Sequence, residues 1–423
     1  MLTKKVVLIG VLVVCAIIGV ILGVILTRKA SSSTSSDSAS GDTSASDATS
    51  GADPVSGKKK KRAGSTTGNT SITSDPTSAK YTLTAFALGD WGATVGQDSC
   101  CTRGSTFNNY DINAEDIVAT LMDQHATAAS TPPKCIMSHG YVPYRESEFR
   151  CGSAEDLVAA LKNKFALQAE YTSPNDNRWV LKDHFYVYSI ADEASGVSID
   201  IFNVDAGDAT THGAQQTCCQ CYGYSEGKDK LCKNVARGDK LCAGGDTDMY
   251  DACFKQFTEW SDDSRQQLAK EVAASNATWK LVNCHYSAYA HYDEAGMKKW
   301  FDILQDAGVQ LWLNGHTHGE NHDYSSTLQM HFVTNGAGGG IQKESASGIP
   351  DFAKGYVETV WAYGGHEYGF MSVEASPEWL KLQYHTTDDA WTFQKNFNAT
   401  KIGGVATKHC WYIPIDGALG KEC

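Results

Sequence analysis

The sequence is short of positive charge. It holds 36 Lys and Arg against 49 Asp and Glu, a formal net charge of −13 over 423 residues. A phosphate backbone demands a net positive surface, so a generally basic nucleic-acid binder is excluded. No internal repeat appears. Cys218-Cys219-Gln220-Cys221 has no second Cys-x-x-Cys downstream, which argues against a zinc knuckle. The tryptophans and tyrosines form no pattern that argues for carbohydrate or base stacking.

What is present is cysteine, 14 residues of it, with an apolar fraction of 42%. So many cysteines point to an oxidising compartment or to metal thiolates. Val6 to Leu26 is an uncharged run rich in Val, Ile, Leu and Gly, long enough to span a bilayer as a helix. It is long for a cleavable signal peptide. The sequence therefore predicts a short tail (1–5), a transmembrane signal-anchor (6–26), a disordered Ser/Thr-rich stalk (27–80) and a folded domain (81–423). Flanking charges, Lys4 and Lys5 against Arg28 and Lys29, barely set the orientation. Thirteen cysteines lie after the run, which favours a single-pass protein with its C-terminal domain lumenal or extracellular. The basic run Lys58 to Arg62 reads as a solvated charge cluster, with lipid contact or processing that releases a secreted domain as sharper alternatives. Asn69, Asn276 and Asn398 begin glycosylation sequons.

Strands are expected at Tyr81–Leu88, Trp279–Asn283 and Val309–Leu313. Helices are expected at Asn113–His125, Ala154–Phe165, Phe254–Ala274 and Ala295–Ala307. This alternation gives an α/β or α+β fold, with functional loops at the carboxyl ends of strands. The cluster at 218–253 reads as a disulfide-stapled insertion. An odd number of cysteines after the apolar run leaves at least one unpaired, and Cys284 is the candidate free thiol.

Three post-strand loops carry the chemistry. Gly315-His316-Thr317-His318 places two imidazoles beside glycine after a strand. Asn283-Cys284-His285 and Gly89-Asp90-Trp91-Gly92 stand at two other strand ends. One carboxylate and three imidazoles make a plausible site for one or two metal ions.

These blocks resemble the calcineurin-like metallophosphoesterases, and within them the small purple (tartrate-resistant) acid phosphatases. Gly89-Asp90-Trp91-Gly92 matches the first block of that family, Asn283-Cys284-His285-Tyr286 the fourth and Gly315-His316-Thr317-His318 the fifth. Asn335 to Gly339 resembles the turn after the next strand. Arg178-Trp179 and His184 to Tyr188 resemble the middle strand region. The resemblance covers about Tyr81 to Tyr384. It implies a four-layer sandwich, two mixed β-sheets flanked by helices, and hydrolysis of phosphate monoesters. It also implies a dinuclear centre of iron with a second metal, zinc, iron or manganese. Asp90 and His318 would hold the iron-type metal, and His285 and His316 its partner. His291 would stand near enough to touch a phosphate.

The second and third blocks, Gly-Asp-x-x-Tyr and Gly-Asn-His, are not intact. In their place stands Cys135 to Tyr144. Either Gly140-Tyr141-Val142-Pro143-Tyr144 replaces the second block and keeps Tyr144 as a ligand, or a deletion joins Gly140 to later sequence. The deletion is favoured because the third block has no counterpart. The bridging carboxylate that offsets repulsion between two ions is then missing. Replacement donors such as His322 or Asp323 are the least favoured remedy. The expected activity is a phosphatase with part of its metal site missing. The alternative is a pseudophosphatase domain serving as an interaction scaffold.

Overall fold

The computed structural model describes residues 72–91, 108–139, 152–173, 177–210, 213–214, 218, 237–240, 242–339 and 348–423. The chain divides into two units, Met1–Thr66 and Thr67–Cys423. Every element below belongs to the second, and the first lies outside the described residues.

Two mixed sheets carry the fold. The first has six strands in the order β13 (Lys421–Glu422), β12 (Val405–Pro414), β11 (Trp379–Thr387), β10 (Gly369–Ala375), β1 (Leu83–Leu88) and β2 (Pro133–Ser138). The second has seven: β3 (Tyr186–Asp192), β4 (Val197–Asn203), β5 (Trp279–Asn283), β6 (Leu311–Asn314), β8 (Met330–Asn335), β7 (Glu320–Ser325) and β9 (Glu358–Ala362). Strands β4, β5, β6 and β8 run parallel, as do β1 and β2. Parallel strands bring their carboxyl ends to one edge, which is where the loops of interest emerge.

Period-two alternation sorts the side chains into layers. Leu83, Ala85 and Ala87 of β1, with Met371 and Val373 of β10, face Ile199, Leu281, Leu311 and Val333 of the other sheet in one core. The alternate residues turn outward. Phe86 and Phe370 meet Ile117, Val118 and Leu121 of helix α1 (Ala114–Ala128). On the far side, Phe202, Val282, Trp312 and Phe332 meet two helices, α3 (Thr247–Ala274) through Leu268 and Val272, and α4 (Glu294–Leu304) through Met297 and Trp300. The order helix, sheet, sheet, helix is the expected four-layer sandwich. Apolar residues on both faces explain why these strands read as continuous runs rather than alternating ones.

Helix starts are set by caps that satisfy orphan amides. Ser153 accepts from Asp156 N at 3.1 Å to open α2 (Ala154–Ala169). Asp293 accepts from Gly296 N at 2.7 Å to open α4. Asp246 accepts from the amides of Asp248 and Met249, so α3 begins at Thr247 rather than at the expected Phe254. The added turns bury Met249, Tyr250 and Cys253 in a small core with Leu157 and Leu161 of α2.

Most of the cysteines among the described residues are in disulfides. Cys218 pairs with Cys253, stapling the segment after β4 to α3, and Cys410 pairs with Cys423. Cys242 is disulfide-bonded too. Cys284 is a free thiol, as expected, and so is Cys135. Burial pushes the Cys284 thiol far up, which keeps it protonated and inert.

The single-pass placement expected from the sequence is corrected. Among the described residues no helix is long and apolar enough to cross a membrane. The run at 6–26 on which that placement rested lies outside them, as do residues 27–71 of the stalk, with the basic run and Asn69. The membrane-anchored, lumenal or extracellular assignment is withdrawn.

Candidate functional site

Four carboxyl ends meet at one edge of the two sheets. Strand β1 delivers Asp90, β2 delivers His139, β5 delivers His285 and β6 delivers His316 and His318. Strands β1 and β2 are tied there by Trp91, whose Nε1 donates to Ser138 Oγ at 2.7 Å.

Asp90 is 1% exposed and sits at φ 50°, in the left-handed region where Asp is better tolerated than most residues. Its Oδ2 accepts from the His316 amide at 2.7 Å. His316 is also left-handed, at φ 67°. Two such residues in contact mark a backbone held by its surroundings, as at many functional sites. Glycine is required beside them. A Cβ on Gly315 would lie 2.5 Å from Asp90 Oδ2 and 3.0 Å from the His139 carbonyl oxygen.

The imidazoles are aimed by hydrogen bonds. His285 Nδ1 lies 2.9 Å from the His139 carbonyl oxygen, which can only accept, so Nδ1 carries the proton and Nε2 presents its lone pair. This is how a metal-ligating histidine is usually braced. His285 Nε2 stands 3.1 Å from His316 Nδ1. His318 Nε2 stands 4.0 Å from Asp90 Oδ1, and His285 Nδ1 is 3.9 Å from the same oxygen. Donors that share an ion at about 2.0–2.2 Å are separated by no more than twice that distance. Two pairs fall within that limit: His285 with His316 at 3.1 Å, near the separation of tetrahedral ligands, and Asp90 with His318 at 4.0 Å, near the linear extreme. Each pair supplies two donors, short of the three protein ligands of a usual catalytic zinc site. Accordingly, among the described residues no group of three or more His, Cys, Asp or Glu is placed to hold a metal ion.

His291 is brought to the same edge but is only 4% exposed. Its Nδ1 accepts from the Ser287 amide at 2.9 Å, and its Nε2 lies 3.2 Å from Thr317 Oγ1. It thus ties the loop after β5 to the loop after β6, with its ring 4.7 Å from that of His316. Tyr144 and the rest of 140–151 lie outside the described residues.

His322 and Asp323 do not supply missing donors. His322 Nε2 bonds His331 Nδ1 at 2.7 Å and its Nδ1 bonds His409 Nε2 at 3.0 Å. Asp323 Oδ2 accepts from the Tyr289 hydroxyl and from Asn321 Nδ2.

His139 is the residue that sequence reading passed over. It is 3% exposed, with Nδ1 3.1 Å from Asn283 Oδ1 and Nε2 3.2 Å from the Asn335 carbonyl oxygen. Burial pushes it down to about 4, against two oxygens that both accept from the ring. An imidazole therefore occupies the end of β2, beside Asp90. Part of the signal was available: a histidine just past a strand end, the position that His285 and His316 share. A cavity of about 250 Å3 opens beside it, lined in part by Ser138, His139, Asn283, Cys284 and His285.

No family model matches the chain, and no curated protein matches it significantly. Among solved structures it is similar to GAP50, the anchor in the inner membrane complex of Plasmodium, at 13% identity over 77% of this chain and 90% of that one, with a TM-score of 0.42. It is similar to a purple acid phosphatase from yellow lupin (Lupinus luteus) seeds at 13% identity, over 78% and 55%, with a TM-score of 0.33. A dimetal phosphatase from Danio rerio is similar at 10% identity, over 78% and 99%, with a TM-score of 0.38. Likenesses this loose carry no functional weight, and the chemistry of the site is read from its own residues.

Proposed function

We propose that the domain is a metal-dependent hydrolase of phosphate monoesters whose metal site is reduced to two donor pairs. The observation that supports it is the pairing itself: Asp90 with His318 at 4.0 Å and His285 with His316 at 3.1 Å, on loops braced by Gly315 and His139. Asp90 suits a hard ion such as iron(III), and the imidazoles suit zinc, iron(II) or manganese. Such ions supply Lewis acidity toward a phosphoryl oxygen. The chain's own residues do the rest. His139 fixes the proton on His285 Nδ1, Asp90 holds the His316 backbone, and His291 binds the two loops together.

A second reading, a non-catalytic scaffold, is favoured by one feature: among the described residues neither pair has a third donor. The two readings separate on one experiment. The full chain is dialysed against iron and zinc and assayed with 4-nitrophenyl phosphate from pH 5 to 7. Turnover that appears with metal and disappears with a chelator supports the hydrolase. Absence of turnover at every metal loading leaves the scaffold.

A further inference from the structure

A third imidazole lines the cavity with His139 and His285, and the metal-site reading leaves it unused. His184 precedes β3, whose Tyr186 pairs with Asn203 at the end of β4. Asn203 in turn pairs with Asn283 at the end of β5. Asp205 follows β4 much as His285 follows β5. His184, Asp205 and His285 therefore stand at one end of the sheet, and all three line the 250 Å3 cavity. That volume is just below the roughly 300–1,000 Å3 of ordinary small-molecule sites, so it suits a small group.

The ring is held from three directions. Phe165 of α2 stacks on one face at 3.7 Å between centroids and Trp260 of α3 on the other at 3.9 Å, at 22° and 20°. His184 Nδ1 lies 3.0 Å from Asp205 Oδ2. A carboxylate oxygen accepts, so Nδ1 donates and Nε2 is the atom left to hold or release a proton. Asp205 is itself pinned, its Oδ1 accepting from the Gly207 amide at 2.8 Å and the Ser261 hydroxyl at 3.3 Å. Filling space between two aromatic rings needs no carboxylate. A carboxylate that fixes the tautomer of a clamped imidazole is the arrangement of an acid–base group.

We propose that His184 is a catalytic residue, the proton donor to the leaving group, a role that rests on the hydrolase reading above. The P–O ester bond breaks and its electron pair stays on the leaving oxygen. The Nε2 proton passes to that oxygen, and the departing product is an alcohol. Water supplies the new P–O bond and returns a proton to Nε2.

The test compares two esters with the metal-loaded full chain. 4-Nitrophenoxide departs without a proton, and the alkoxide of glycerol 2-phosphate does not. His184→Gln is expected to lower kcat/KM on glycerol 2-phosphate about a hundredfold, with less than about a threefold change on 4-nitrophenyl phosphate and loss of the basic limb of the pH profile. Asp205→Asn, which keeps the shape, is expected to give the same selectivity with a smaller loss. Equal losses on both esters, or no loss on either, would overturn the assignment. If the unaltered chain turns over neither ester, the hydrolase reading fails. His184 is then judged by NMR. Its C2 proton signal, identified by its absence in His184→Gln, is expected to move on titration with inorganic phosphate, and a signal that stays fixed overturns the proposal.

Discussion

Two histidine clusters grow from a single stretch, His316-Thr317-His318-Gly319-Glu320-Asn321-His322, and they obey different physics. His316 and His318 sit on a loop at a strand end, partly exposed and facing the buried carboxylate of Asp90. His322 sits within β7, sealed at 0% exposure with His331 and His409. There the hydrogen bonds form a directed chain. His331 Nε2 must donate to the Ala418 carbonyl oxygen, at 3.1 Å, so its Nδ1 accepts from His322 Nε2, and His322 Nδ1 accepts from His409 Nε2. Every link is satisfied while all three rings are neutral. This chain joins β7 and β8 of one sheet to β12 and the C-terminal segment of the other. On the proposed reading a cation belongs in the first cluster, whereas the second has every ring nitrogen engaged within the protein.

The largest effect that would break this comparison comes from the sealed cluster. His322→Ala leaves a buried donor and a buried acceptor without partners and opens a void, so it is expected to cost about 3 kcal/mol or more of stability in urea denaturation. A variant as stable as the parent would show that the chain of imidazoles is incidental. Acid should act in the same place. Burial holds His322 well below its ordinary value and both His331 and His409 at about 4. The folded state keeps these rings neutral, while the unfolded chain takes up protons below about 6.5. Their contribution is complete above that pH and is lost as pH falls through 4. For His331 alone, a shift from 6.5 to about 4 corresponds to roughly 3 kcal/mol. Urea midpoints are expected to fall between pH 6.5 and 4, and a flat profile there would contradict the neutral chain.

The smallest stability effect is expected in the open cluster. His318→Ala should cost less than His322→Ala, about 1–2 kcal/mol, since its side chain keeps some exposure at 15% where His322 has none, while it abolishes metal uptake. A large loss of stability would mean that the two clusters do not differ as described.

The fold was largely legible. Trp279–Asn283 came out with the expected bounds, because a short apolar run between a polar turn and Asn-Cys-His has few other readings. The start of α3 was missed because its cap, Asp246, and the buried Cys253 lie in a cysteine-rich stretch that looks like a loop. That Asp90, His285, His316 and His318 share one edge was legible from their place at strand ends. Of His139 only that place was legible, and of His184 nothing. The setting of His139 depends on Asn283 and Asn335, and the role proposed for His184 depends on Phe165, Trp260 and Asp205, which no local spacing brings together.

The most direct test of the metal site is Asp90→Asn. At φ 50° asparagine is well tolerated, and its amide oxygen can still accept from the His316 amide. Metal bound per chain is measured by mass spectrometry after dialysis against iron and zinc, for parent and variant together. Bound metal on the parent is expected, with at least a tenfold loss of affinity in Asp90→Asn and a Tm within about 2 °C of the parent. Equal metal on both chains, or none on the parent, would contradict the assignment of Asp90 and the histidines around it as a metal site.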